Sequence, residues 1–233
     1  MSAPTNHVPT HFWKQQSPIN LVKNNSLHVK FPKTFLKFDY RDAPFLGEFQ
    51  GADGHGNFVL DKPHPGTHLP MLTMGGVTAE LIKIHLHTPS EHDLEGNDLG
   101  GEIHLIHRLA SPINGSELVV VGVFFDEDKS AEELDFFAMW AKQVGNKSKT
   151  TSDTERFEID PRRLVPEKPN NAQWYRYEGS LTSEPYSEIV SWLVFVDPIG
   201  VRSADFRKLK EKAHQPERPV QPINRRFVIR NFQ

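Results

Sequence analysis

The chain has 233 residues, no cysteine and a formal net charge of −3 at pH 7. That length fits one domain with a full hydrophobic core, and the charge excludes the basic excess that a nucleic-acid binder would show. Without cysteine there are neither disulfides nor thiolate ligands, so any transition-metal site must use His, Asp or Glu.

Residues 1–15, MSAPTNHVPTHFWKQ, read as a short N-terminal arm, and residues 16–233 as a single domain. The first twenty residues hold no apolar stretch of signal-peptide type. The longest apolar run, LVVVGVFF at 118–125, is too short to cross a bilayer as a helix. The expectations are a cytoplasmic chain, or a periplasmic or secreted one if a signal peptide has been removed, and no membrane partner. Eighteen prolines and fifteen glycines, scattered throughout, suit many short strands joined by irregular loops.

In chain order, alternating or β-branched stretches predict strands at 27–31, 34–38, 56–60, 79–87, 102–109, 118–125, 189–195 and 226–230. SAEE at 130–133 predicts a helix with Ser130 as N-cap and Glu133 completing a capping box, continuing through Leu134, Phe137 and Trp140 to a stop at Gly145. A second short helix is predicted from Ser203. The fold class is mostly β: one large, twisted, mostly antiparallel sheet with a few short peripheral helices.

Residues 85–92 read HLHTPSEH. On a strand, residues i and i+2 share a face, so His85 and His87 project side by side. In GEIHLIH, at 101–107, Glu102 and His104 share a face while His107 points away. His104 on a neighbouring strand could close a three-histidine site, with Glu102 placed to hold a ligand imidazole in one tautomer. Without further context, a structural histidine cluster and a metal site are both open. His92 and His107 read as hydrogen-bonding residues.

Six ordered segments carry a resemblance. HLHTPSEH and GEIHLIH are similar to the zinc-ligand region of the α-class carbonic anhydrases. QSPIN at 16–20, DGH at 53–55, YEGSLTSEP at 177–185 and QPINRR at 221–226 resemble further signatures of that family. The resemblance implies a Zn2+ cofactor on His85, His87 and His104. It implies Glu102, Gln16 and His92 in an outer shell, and Thr182 with Glu91 orienting a zinc-bound hydroxide. His55 matches a proton shuttle, and Ile106, Val121, Leu181, Ser183, Val190 and Trp192 match the substrate pocket. The implied activity is reversible hydration of carbon dioxide to bicarbonate, by a monomer or homodimer that sulfonamides and anions inhibit. A non-catalytic binding relative and a zinc-dependent esterase are the alternatives.

The sequence departs from the family pattern at several points. Tyr186 stands where many relatives carry a disulfide cysteine. Lys83 replaces a glutamine on the His85–His87 strand and is a possible modifier of the pocket. Phe58 replaces a polar cleft residue, and Glu184 a proline. The aromatic segment before QSPIN is shortened, with Trp13 standing in for part of it.

Overall fold

In a computed structural model, residues 14–50, 56–62, 68, 70–144, 156–213 and 217–233 are described. The strands are β1 (Asn20–Leu21), β2 (Leu27–His28), β3 (Leu36–Asp39), β4 (Phe45–Gln50), β5 (Asn57–Leu60), β6 (Met71–Met74) and β7 (Val77–His87). They continue with β8 (Asp93–Leu94), β9 (Gly101–Ile113), β10 (Ser116–Glu127), β11 (Arg156–Ile159), β12 (Trp174–Gly179), β13 (Val190–Val201) and β14 (Ile229–Arg230). The helices are α1 (Asp135–Gln143) and α2 (Ser203–Lys212).

Twelve strands form one sheet, ordered β11-β4-β5-β7-β9-β10-β13-β12-β14-β2, with β6 pairing both β3 and β7. Among the described residues its pairs are antiparallel except β10–β13 and β14–β2. The centre is the long hairpin β9–β10. Asn114 and Gly115, both at positive φ, make its turn, the pairing that matches strand twist in a two-residue hairpin.

Both faces of this centre are covered. On one face Phe125, Trp140, Leu193, Phe195 and Phe206 belong to a core that includes α1 and α2. On the other, Ile106, Val120, Phe124, Tyr177, Trp192 and Val194 form a second cluster. Burial on two sides explains why β10 reads as an apolar run, interrupted only by Gly122, rather than an alternating one.

Two expectations need correction. Helix α1 starts at Asp135, with Leu134 at the cap position and no side-chain cap bond. Ser130 instead folds back: its N–H and Oγ–H both donate to Asp128 Oδ1, at 2.8 and 2.7 Å. The local Asx-type turn wins over the capping box. Gly145 lies outside the described residues. Phe58 is fully buried and pairs with Ile84, on the face opposite His85, so it belongs to the core and not to the cleft. Helix α2 starts at Ser203 as predicted.

Candidate metal centre

The sheet register arranges the site in rows, because directly facing residues share a face. One row runs Val59, Lys83, Ile106, Val120, Trp192, Tyr177. The next runs His85, His104, Gly122, Val194, and the third His87, Glu102, Phe124. The histidines thus meet across the β7–β9 pair, next to an apolar row.

His85, His87 and His104 each bring a ring nitrogen within 4.8 Å of the others'. His85 Nε2 and His104 Nδ1 are 3.1 Å apart. The other nitrogen of His104 lies 3.1 Å from Glu102 Oε1. An Nε2–H donated to that carboxylate leaves the Nδ1 lone pair facing the centre. Three imidazoles with converging lone pairs suit a zinc ion, which takes nitrogen ligands in a tetrahedron.

Glu102 is fully buried and heavily partnered. It accepts from the backbone N–H groups of His92 and Glu91 at 2.9 and 3.2 Å, and meets His92 Nδ1 at 2.8 Å. Burial alone would raise its pKa, but the His92 and His104 imidazoles hold it well below the usual carboxylate range. His92 in turn touches Tyr177 Oη at 2.7 Å, and Tyr177 donates to Ser17 Oγ at 2.9 Å. The space for this network comes from Gly122: a Cβ there would sit 2.5 Å from Glu102 Oε1.

Glu91 approaches His87 Nε2 at 3.4 Å and His104 Nδ1 at 3.9 Å. Its carboxyl is pushed up by burial and eased down by His104 and by a hydrogen bond from the Thr182 side chain. Thr182 lies on the loop between β12 and β13, closed by Leu181 N–H to Ser187 C=O at 3.0 Å and Tyr186 N–H to Ser183 C=O at 2.8 Å. The Arg218 guanidinium lies 3.8 Å from the Tyr186 ring centroid, and it donates to Ser17 C=O at 2.6 Å and Gln16 Oε1 at 2.8 Å. Gln16 itself donates to Glu188 Oε1 at 2.7 Å and Tyr186 C=O at 3.2 Å. Its amide therefore braces the Thr182 loop.

The apolar wall differs in one residue from the expectation. Ile106, Val190 and Trp192 cluster on the site face, with Leu181 packed against them. Val121 does not: it faces Leu105 and Leu193 and lies in the opposite core. Val120, one residue earlier, takes the wall position. Ser183 is exposed on the Thr182 loop. The Trp192 ring meets His104 edge-on at 4.9 Å and donates its indole N–H to Ser180 C=O at 3.1 Å. Lys83 is half-buried, and burial pulls its pKa down. His107 points away as expected, meeting Tyr40 Oη at 2.6 Å through Nε2. His55 lies outside the described residues.

Fold and site together define a sheet protein with three converging imidazoles that could hold a metal ion, backed by a buried carboxylate. The sequence profile of the eukaryotic-type carbonic anhydrases matches residues 5–232. A carbonic anhydrase of Klebsiella pneumoniae is 30% identical over 215 residues, 92% of this chain and 79% of that protein. Among solved structures, the carbonic anhydrase Cah3 of Chlamydomonas reinhardtii in complex with acetazolamide matches with TM-score 0.77 at 25% identity, over 94% of this chain and 91% of that one. The α-carbonic anhydrase of Thermovibrio ammonificans with the inhibitor sulfanilamide matches with TM-score 0.72 at 29% identity, over 92% and 86%. The chain belongs to the eukaryotic-type carbonic anhydrase family, and by class it is a carbonic anhydrase.

Proposed function

We propose that this chain hydrates carbon dioxide reversibly to bicarbonate and a proton, with a zinc ion held by His85, His87 and His104. The observation that carries the reading is the convergence of three imidazole nitrogens beside the Glu91–Thr182 pair. A zinc ion on three neutral imidazoles keeps its double charge and supplies the Lewis acidity that brings a coordinated water to a pKa of about 7, the value known for carbonic anhydrases.

The chain's own residues do the rest. Glu102 fixes the His104 tautomer, and Gly122 leaves it room to do so. Thr182 spends its only proton on Glu91. Its oxygen can then only accept, so it turns the proton of the attacking oxygen towards itself and a lone pair towards the substrate, a gain of orientation. The Arg218–Tyr186–Gln16 contacts hold that loop in place. The substrate is apolar, and Ile106, Val120, Leu181, Val190 and Trp192 offer it an apolar wall. His55 is the proposed relay for the released proton, since an imidazole with pKa near ~6.5 can both take and give it near neutral pH. The sulfanilamide and acetazolamide complexes of the two structural relatives support sulfonamide binding by this chain.

The test is stopped-flow carbon dioxide hydration on protein whose zinc content is measured in the same sample. Rapid, buffer-dependent turnover at one zinc per chain is expected. Full zinc with negligible turnover would overturn the enzymatic reading in favour of a binding protein on the same scaffold.

A further inference from the structure

The cleft does not end at the histidines. On the same sheet face, where β5 leaves β7 after the Val59–Lys83 pair, a cavity of about 580 Å³ opens between the β4–β5 hairpin and β7. On the other edge of β7, the pairing with β9 shifts register at the same place, between Leu81 and Lys83. Leu46, Val59, Leu60 and Ile82 give it apolar walls. The volume is in the range of small-molecule sites.

The charges around it divide unequally. Glu80 is paired with Arg108 at 3.7 Å, Asp61 with Arg156, and Asp42 accepts the His68 backbone N–H at 3.1 Å. Lys62 and His68 are exposed. Lys83 is different: it is half-buried, and among the described residues its ammonium has neither a hydrogen bond nor an ion pair. A cation taken partly out of water without a partner is costly, and an anion supplied by a ligand would relieve that cost. The apolar walls select an anion with an apolar body over a fully hydrated one.

We propose that this cavity is a second binding site, for a small aromatic or aliphatic carboxylate whose charged end meets Lys83 and whose apolar end lies against Val59, Leu46 and Ile82. It is distinct from the three-histidine centre but separated from it by a single step along β7, from Lys83 to His85. A ligand there would stand at the shoulder of the metal centre without occupying it. The inference goes beyond the proposed reaction and does not need it.

The experiment is calorimetric titration of benzoate, with acetate for comparison, into zinc-free and zinc-loaded protein. Benzoate is expected to bind the zinc-free form, with acetate at least about tenfold weaker for want of apolar contact. Lys83→Met should weaken benzoate by about tenfold or more, the worth of a charge-assisted hydrogen bond. Lys83→Arg should restore most of that loss, and Val59→Phe should block binding by filling the cavity. Zinc content in each variant confirms that the neighbouring centre still assembles. No benzoate binding, binding that requires zinc, or binding indifferent to both Lys83→Met and Val59→Phe would overturn the proposal. Because the decisive titration uses zinc-free protein, its failure is separate from any failure of carbon dioxide hydration.

Discussion

Gly122→Ala tests the buried half of the centre with a single methyl group. The added Cβ would lie 2.5 Å from Glu102 Oε1 and 3.3 Å from both methyls of Val194, whereas ordinary contact begins near 3.4 Å. The carboxylate must therefore retreat by roughly an ångström. It has no free direction, because two backbone N–H groups and His92 hold it. A retreat of that size takes Oε1 out of hydrogen-bond range of His104 Nε2, now at 3.1 Å. Leaving a buried donor unsatisfied costs about 1–3 kcal/mol, and losing such a partner of a ligand histidine typically costs 10–100-fold in metal affinity. The expected result is a zinc Kd raised about 10–100-fold in competition with a chromophoric chelator, together with a lower Tm of the zinc-saturated protein. Glu102→Ala supplies the reference. If Glu102→Ala weakens zinc binding and Gly122→Ala leaves it unchanged, the steric argument fails.

Thr182→Ala should keep its zinc but lose about a hundredfold in carbon dioxide hydration, because the attacking oxygen loses its orienting acceptor; unaltered kcat/KM at full zinc would contradict that role. His107 is buried, and burial pulls its pKa down from 6.5 to about 4. Above pH 6.5 it is neutral whether the chain is folded or unfolded. Between pH 6.5 and 4 only the unfolded chain takes the proton, so stability falls as pH drops, by about 3 kcal/mol across the window. Urea unfolding of zinc-free His107→Gln should show a flatter acid limb than the parent chain, and equal slopes would count against the assignment. Phe58→Ala should cost about 3–5 kcal/mol of stability, as for a fully buried phenylalanine. Its anion inhibition constants should not change, which an altered thiocyanate profile would refute.

The part of the site that sequence made legible is the part governed by strand parity. His85 and His87, and Glu102 and His104, alternate with apolar residues that mark the opposite face, so their side could be read directly. The residues that escaped lie where parity has no marker. In LVVVGVFF every position is apolar, both faces are buried, and only the register with β9 shows that Val120, not Val121, joins Ile106 and Trp192. Phe58 was misplaced for a related reason, since one residue of uncertainty after the DGH segment reverses the face. Gly122 carried a weak signal as the one interruption of the run, and Tyr177 stood unread at the head of YEGSLTSEP. Strands β1, β4, β6, β8, β11 and β12 carry no such signal, and β1 and β8 span only two residues each. β6 and β11 span only four residues, and β4 and β12 each include a glycine, features that depress local propensity while pairing in the sheet supplies the order. The helix signal at SAEE was sound in kind but lost to Asp128, a competitor two residues upstream.

The clamp on the Thr182 loop places a constraint on the order of assembly. The three histidines of the candidate centre lie within 19 residues of one another along the chain, so a growing chain can bring them together on the β7–β9 pair early. The loop that carries Thr182 is braced by Gln16 and Arg218, which are 202 residues apart. Loop closure over that span comes late in folding, and during synthesis it must wait until Arg218 has been made. A growing chain could thus bring the three histidines together well before the Thr182 loop beside them is braced.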